Sequence, residues 1–126
     1  MILGVLLAAS VAACPLPSEQ KMVEAELFFG RDIEGSGLVG DAQWSDFVSG
    51  VVARNFPDGF TVTDGDGEWR DPKSLKVVHE PSKILLVAAK PSPGLKEKLQ
   101  AVIDAYKTRF HQQSVGVITR EVCAAF

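Results

Sequence analysis

Two stretches of helical period lie between stretches of strand period, and this switching narrows the possible folds more than any other feature of the chain. From Asp41 to Phe56, the residues Trp44, Phe47, Val48, Val51 and Val52 recur at i, i+3, i+4, i+7 and i+8, one face of a 3.6-residue repeat. Gly40 or Asp41 serves as N-cap, and Pro57 stops the helix at a Pro57-Asp58-Gly59 turn. Before this helix, Val23, Ala25, Leu27 and Phe29 alternate with Glu24, Glu26 and Phe28, the pattern of a half-buried strand. Phe60 to Asp64 predicts a second strand. The run Leu75 to Ala89 predicts a third, with Pro81 at a bulge or an edge position. Its end, Ile84 to Ala89, is apolar at both parities, so both of its faces need cover. Ser92 as N-cap and Pro93 at N1 open a second helix that carries Leu95, Leu99, Val102, Ile103, Tyr106 and Phe110. Ser114 to Cys123 reads as the last strand. The order β-α-β-β-α-β predicts an α+β, ferredoxin-like sandwich, with two helices on one face of a four-stranded antiparallel sheet in the spatial order 4-1-3-2.

The chain has 126 residues, enough for one domain with a modest core. Its apolar fraction of 46% is that of a globular protein. The net charge of −3 is spread over interspersed signs, with no basic patch among aromatics, which argues against a nucleic-acid partner. Residues 1–13 read as an export signal, a short apolar run followed by Ala12 and Ala13. Val11-Ala12-Ala13-Cys14 is similar to a bacterial lipobox, which makes Cys14 a lipidation candidate and a lipid the expected membrane anchor. Residues 14–22, with Pro15 and Pro17, read as a tether, and residues 23–126 as a single domain. The only other cysteine is Cys123. A Cys14 that is lipidated or removed leaves it unpaired, so the expectation is no disulfide and a small buried side chain.

Gly35 to Gly40, GSGLVG, spells the dinucleotide fingerprint G-x-G-x-x-G. That fingerprint needs its first glycine at the end of a strand, in a series of parallel strands joined by crossovers. Here Arg31-Asp32-Ile33-Glu34 intervenes, and the second and third strands follow one another without a helix. A flexible loop is the reading, and no nucleotide is expected. Asp64-Gly65-Asp66-Gly67-Glu68 resembles the start of a calcium loop, but the twelfth position is Leu75 rather than a glutamate; a hairpin tip or bulged turn explains it without metal. His79 and His111 have no ligand-like neighbours in sequence. No metal or cofactor is expected.

Glu24 and Glu26 share the solvent side of the first strand, where Glu80 of the third can approach them. Trp69 and Arg70 come from the adjoining strand region. Glu26, Trp69, Arg70 and Glu80 are therefore candidate ligand-binding residues, with a structural ion network as the competing explanation. Self-association through the sheet, as a homodimer, is the simplest cover for the second apolar face of Ile84 to Ala89.

The segments AELFFGR, W-x-x-F, ARNFPDGFTVTDGDGEWRD and HEPSKILLV, with the ending Y-x-x-x-F-x-Q-x-S-V and a late Cys, resemble a bacterial family, the domain of unknown function numbered 3574. The resemblance covers roughly residues 24–126. It implies an exported small α+β domain and carries no catalytic residues. The functional expectation is an envelope-associated binding or interaction module in the periplasm or cell envelope. The alternative is a small cofactor-independent enzyme using Glu26, Glu80 and Arg70 in a sheet-side pocket.

Overall fold

The computed structural model describes residues 13–126. The export-signal reading falls on residues 1–13, nearly all of them outside that range. The long strands are β1 (Gln20–Gly30), β4 (Thr61–Arg70), β5 (Val77–Ala89) and β6 (Gly116–Ala124), all antiparallel, in the order β4-β5-β1-β6. Counting these four strands alone, that is the order 4-1-3-2 of a ferredoxin-like sandwich. Between β1 and the first helix, β2 (Asp32–Ile33) and β3 (Gly37–Leu38) form a small hairpin where the sequence reading has only a loop. Gly35 and Gly37 take φ of 72° and 82° there, so the glycines of GSGLVG supply the left-handed backbone of a hairpin turn.

The first helical segment has three parts: α1 (Asp41–Phe47), a π-helical turn (Val48–Val52) and α2 (Ala53–Asn55). Its buried residues are Trp44, Phe47, Val52 and Phe56, and the step of five from Phe47 to Val52 marks the widened turn. Ser49 Oγ donates to the Ser45 and Asp46 carbonyls at 3.1 and 3.3 Å, which competes with the regular ladder there. Gly40 is the N-cap, and its N–H donates to Gln43 Oε1 at 2.8 Å, half of a capping box. The second long helix, α3 (Leu95–Arg109), starts later than the sequence suggests. Its N-cap is Gly94, and Ser92 contributes a backbone carbonyl to Leu95 rather than a side-chain cap. At its other end His111 takes φ of 51°, and the Gln112 N–H returns to the Lys107 carbonyl, a Schellman closure with histidine in the usual glycine place.

Both helical segments pack on the face of the sheet that carries Ala25, Leu27 and Phe29 of β1 and Leu85 and Val87 of β5. Phe29, Trp44, Phe47, Tyr106 and Phe110 form one aromatic cluster between the layers. Pro81 sits where β1 has ended. Its carbonyl accepts from the Arg31 N–H at 2.9 Å, so its missing N–H would face Arg31, past the end of β1, whose carbonyl already accepts from the Val39 N–H; this is an edge-type position that proline tolerates.

Two expectations are corrected. The segment Asp64-Gly65-Asp66-Gly67-Glu68 is not a hairpin tip but the middle of β4, which continues to Arg70. Gly65 and Gly67 are accommodated because Ser82 and Ile84 of β5 lean over the first and the Glu80 carbonyl lies against the second. The turn itself is Asp71 to Lys76, where the Asp71 carboxylate accepts from the Lys73 N–H and Ser74 Oγ; these bonds hold its pKa below the ordinary carboxylate range.

The second correction concerns the cysteines. Cys14 and Cys123 form a disulfide, with their Cα atoms 5.6 Å apart. The register of β1 with β6 explains it: Lys21 pairs with Cys123 and Gln20 with Ala124, so the end of the last strand lies beside the start of the first, within reach of the tether. A Cys14 sulfur in this bond has no valence left for a thioether lipid. Cys123 is thus neither unpaired nor an isolated buried thiol.

Candidate functional site

Strand alternation and register divide the side chains of the sheet between two faces. One face lies under the helices. The other carries Glu24, Glu26 and Phe28 of β1, Glu80, Ile84 and Leu86 of β5, Thr61, Thr63 and Trp69 of β4, and Ile118 and Arg120 of β6. No element of the described chain covers this open face, which leaves Trp69 50%, Leu86 37% and Ile118 54% exposed. The apolar part runs diagonally from Ile84 and Phe28 to Leu86 and Ile118. Beside it stands a charged group: Arg120 Nε donates to Glu24 Oε1 at 2.7 Å, and its Nη2 lies 3.9 Å from Glu26 Oε1.

The four candidate ligand-binding residues do not form one cluster. Glu26 belongs to the Glu24–Arg120 group. Glu80 lies six residues from Leu86, the β5 partner of Glu26, roughly 20 Å along the strand. Trp69 shares the face and the end of the sheet with Glu80, two positions from Gly67, the partner of Glu80. Arg70, being the next residue in a strand, points to the opposite face. Of the histidines, His79 pairs with Glu68 at 3.0 Å on the surface, and His111 ends α3.

A convergence that sequence reading missed surrounds Gly30 to Asp32. Tyr106 Oη donates to the Gly30 carbonyl at 2.7 Å, and Gln112 Nε2 to the Asp32 carbonyl at 2.7 Å. The Arg31 guanidinium donates twice to the Val39 carbonyl and once to Asp41 Oδ1, tying the hairpin to the start of α1. Glu80 accepts from the Asp32 N–H at 3.3 Å, and its carboxylate lies over Gly30. Burial pushes the Tyr106 phenol well above its ordinary titration range, so it remains a donor throughout the accessible pH range. The signal was present in sequence as the motif letters F-F-G-R, H-E-P and Y-x-x-x-F-x-Q, but the bonds that join them span as many as 80 residues.

Glu80 thus holds the end of β1 as well as facing solvent. A Cβ at residue 30 would stand 2.3 Å from Glu80 Oε1. Gly30→Ala therefore displaces the Glu80 carboxylate and costs about 1–2 kcal/mol in urea denaturation. In a Glu80→Ala background the same substitution costs less than about 0.5 kcal/mol, because the obstacle is gone. Equal costs in the two backgrounds would show that Glu80 does not occupy this place.

Concave surface occurs elsewhere. A groove of about 490 Å3 lies between the β2–β3 hairpin and the end of α3, with Leu38, Asp46, Arg109 and His111 in its walls. A second, of about 440 Å3, lies between α3 and β6 and is lined by Val23, Leu95, Leu99, Ile103, Val117 and Thr119 among others. Neither contains Glu26 or Glu80. Lys83 lies on the helix face and bonds to Asp64, which holds that carboxyl below its ordinary range.

Solved structures of other proteins share the fold. One is a phage SAM lyase in complex with S-methyl-5'-thioadenosine, 16% identical, with a TM-score of 0.63, covering 83% of this chain and 90% of that one. Another is a phage SAM lyase in its apo state, 15% identical, with a TM-score of 0.62, covering 92% and 97%. At these identities the likeness is one of fold. No curated protein matches the chain. The segments that meet around Gly30 and the aromatic cluster fall within residues 24–126, the range matched by a family model, and the chain belongs to that family, DUF3574, proteins of unknown function.

Proposed function

We propose that this protein is an interaction module of the exported compartment that associates through the open face of its sheet, in the first instance with a second copy of itself. The observation that carries this reading is the uncovered diagonal Ile84, Phe28, Leu86 and Ile118 beside a charged group of both signs. A two-fold axis over the face sets Arg120 of one copy against Glu26 of the other. Four strands of 9 to 13 residues present about 700 Å2 of flat sheet, and twice that lies within the range of a specific interface, about 1,200–2,000 Å2. Export is supported by the leader pattern and by the Cys14–Cys123 bond, since such bonds persist in oxidising compartments. The dispersal of Glu26, Glu80 and Arg70 favours the module over an acid–base enzyme built on those three.

Sedimentation of the oxidised protein tests the reading. A dimer is expected that Leu86→Lys and Ile118→Lys convert to a monomer with an unchanged melting temperature. A wild-type protein that stays monomeric at millimolar concentration would rule it out. The likeness to SAM lyases carries a second reading: the open-face carboxylates receive the sulfonium cation of S-adenosylmethionine, with Glu26 or Glu80 acting on it. Calorimetric titration with S-adenosylmethionine, alongside a chromatographic search for S-methyl-5'-thioadenosine as product, tests this. Binding or turnover left unchanged by both Glu26→Gln and Glu80→Gln would end it.

A further inference from the structure

The two edges of the sheet are built differently. In a regular antiparallel strand, alternate residues turn N–H and C=O to opposite sides. The bond from the Arg31 N–H to the Pro81 carbonyl sets the phase: odd residues of β1 face β5, so even ones face β6. The paired residues of β6 are therefore Gly116, Ile118, Arg120 and Val122, while Val117, Thr119 and Glu121 present their backbone groups outward. Among the described residues no backbone group bonds to them. By the same phase, the outward positions of the other edge, β4, include Asp64, Asp66 and Glu68, separated by glycines. This row of charged side chains, with Asp64 paired to Lys83 and Glu68 to His79, disfavours an incoming strand, one of the standard protections of an edge. β6 has no proline, no lysine and no bulge from Gly116 to Ala124.

Beside this open edge lies an unfilled apolar groove. α3 stops short of β6, so Val117 is 46% exposed on the helix face and, with Leu95, Leu99, Ile103 and Val23, lines the groove of about 440 Å3. Lys96 and Gln100 stand at its rim. Two of the three residues with free backbone groups, Val117 and Thr119, also line this groove, so a strand added to β6 would set its own alternate side chains over it.

We propose that β6 is a docking edge that takes an extended peptide of a partner protein as a fifth strand, with apolar side chains at alternate positions facing the groove and an acidic residue for Lys96. This site is separate from the open face and does not depend on what covers that face. A second copy of β6 is the poorer occupant. Antiparallel registers centred on Thr119, Arg120 or Glu121 pair most of the strand. They set Glu121 against Val117 beside the groove, Arg120 against its own copy, or Glu121 against its own copy.

Amide hydrogen exchange on the full oxidised chain tests the proposal. The probe is a blocked heptapeptide with leucine at alternate positions and glutamate at both ends. At about nine times its dissociation constant it slows exchange of the Val117, Thr119 and Glu121 amides about tenfold, and leaves Ile118 and Arg120, already bonded to β1, unchanged. The same peptide N-methylated at its pairing amides has no effect. Thr119→Pro abolishes the protection while the melting temperature stays within a few degrees, since the amide it removes has no partner in the sheet; Val117→Lys weakens it as well. Four results overturn the proposal: no protection with the probe at millimolar concentration; protection that survives Thr119→Pro; protection already present before the probe is added, which means that another segment of the chain covers the edge; and protection that grows with protein concentration alone, which assigns the edge to a second copy.

Discussion

Cys123→Ala is expected to lower the stability of the oxidised protein by about 3 kcal/mol and its melting temperature by roughly 10–15 °C. Cys14 and Cys123 are 109 residues apart, so the bond closes nearly the whole domain into one loop. Loop-closure entropy alone would give about 4–5 kcal/mol for a loop of about 100 residues. Part of that is returned in the folded state. Without the bond, the segment ahead of Gln20 frays, and its residues recover chain entropy that the bond withholds. Reductant should reproduce the loss in the unmutated protein. The thiol count gives an independent readout: no alkylation without reduction, and two alkylated cysteines after it. A protein whose melting temperature ignores reductant, and whose Cys123 is alkylated in its native form, would contradict the pairing and return Cys14 to the lipid reading.

The part of the fold that was legible in sequence is the part with a repeated period. Val23 to Phe29, the stripe from Trp44 to Val52 and the one from Leu95 to Phe110 each repeat often enough to fix a face. Two-residue strands such as Asp32–Ile33 have no period to read, so the β2–β3 hairpin was invisible. Gly65 and Gly67 look like a turn locally, and only the cover given by Ser82, Ile84 and Glu80 across the sheet makes them strand. The disulfide follows from the pairing of Lys21 with Cys123, a contact nearly the length of the chain apart that a count of cysteines does not contain. Of the candidate site, the opposition of Trp69 and Arg70 was already implicit in strand alternation. The distance between Glu26 and Glu80 was not, because it depends on the register of β5 against β1.

Phe29→Ala is expected to cost about 3–5 kcal/mol, while Phe28→Ala, one residue earlier, costs less than about 1 kcal/mol in the monomer. The contrast tests which face of β1 is the core. Phe29 is fully buried, and its ring lies 5.3 Å from that of Trp44, 5.9 Å from Phe47 and 4.7 Å from Tyr106. Removing it takes away a large transfer term and leaves a cavity where β1, α1 and α3 meet, and the rings held by α1 and α3 cannot close it fully. A domain of this size has about 5–15 kcal/mol in total, so the variant is expected to be marginal at room temperature. Phe29→Leu keeps most of the volume and should recover more than half of the loss. Phe28 is half-buried on the open face, where its truncation leaves no enclosed cavity. Its effect should instead appear in self-association, as a weaker dimer from an equally stable monomer. Urea denaturation read by the fluorescence of buried Trp44 separates the cases, with the exposed Trp69 replaced by Phe to remove its background. Equal losses at positions 28 and 29 would mean that both faces of β1 are buried within one chain, and the open face would then be no binding surface at all.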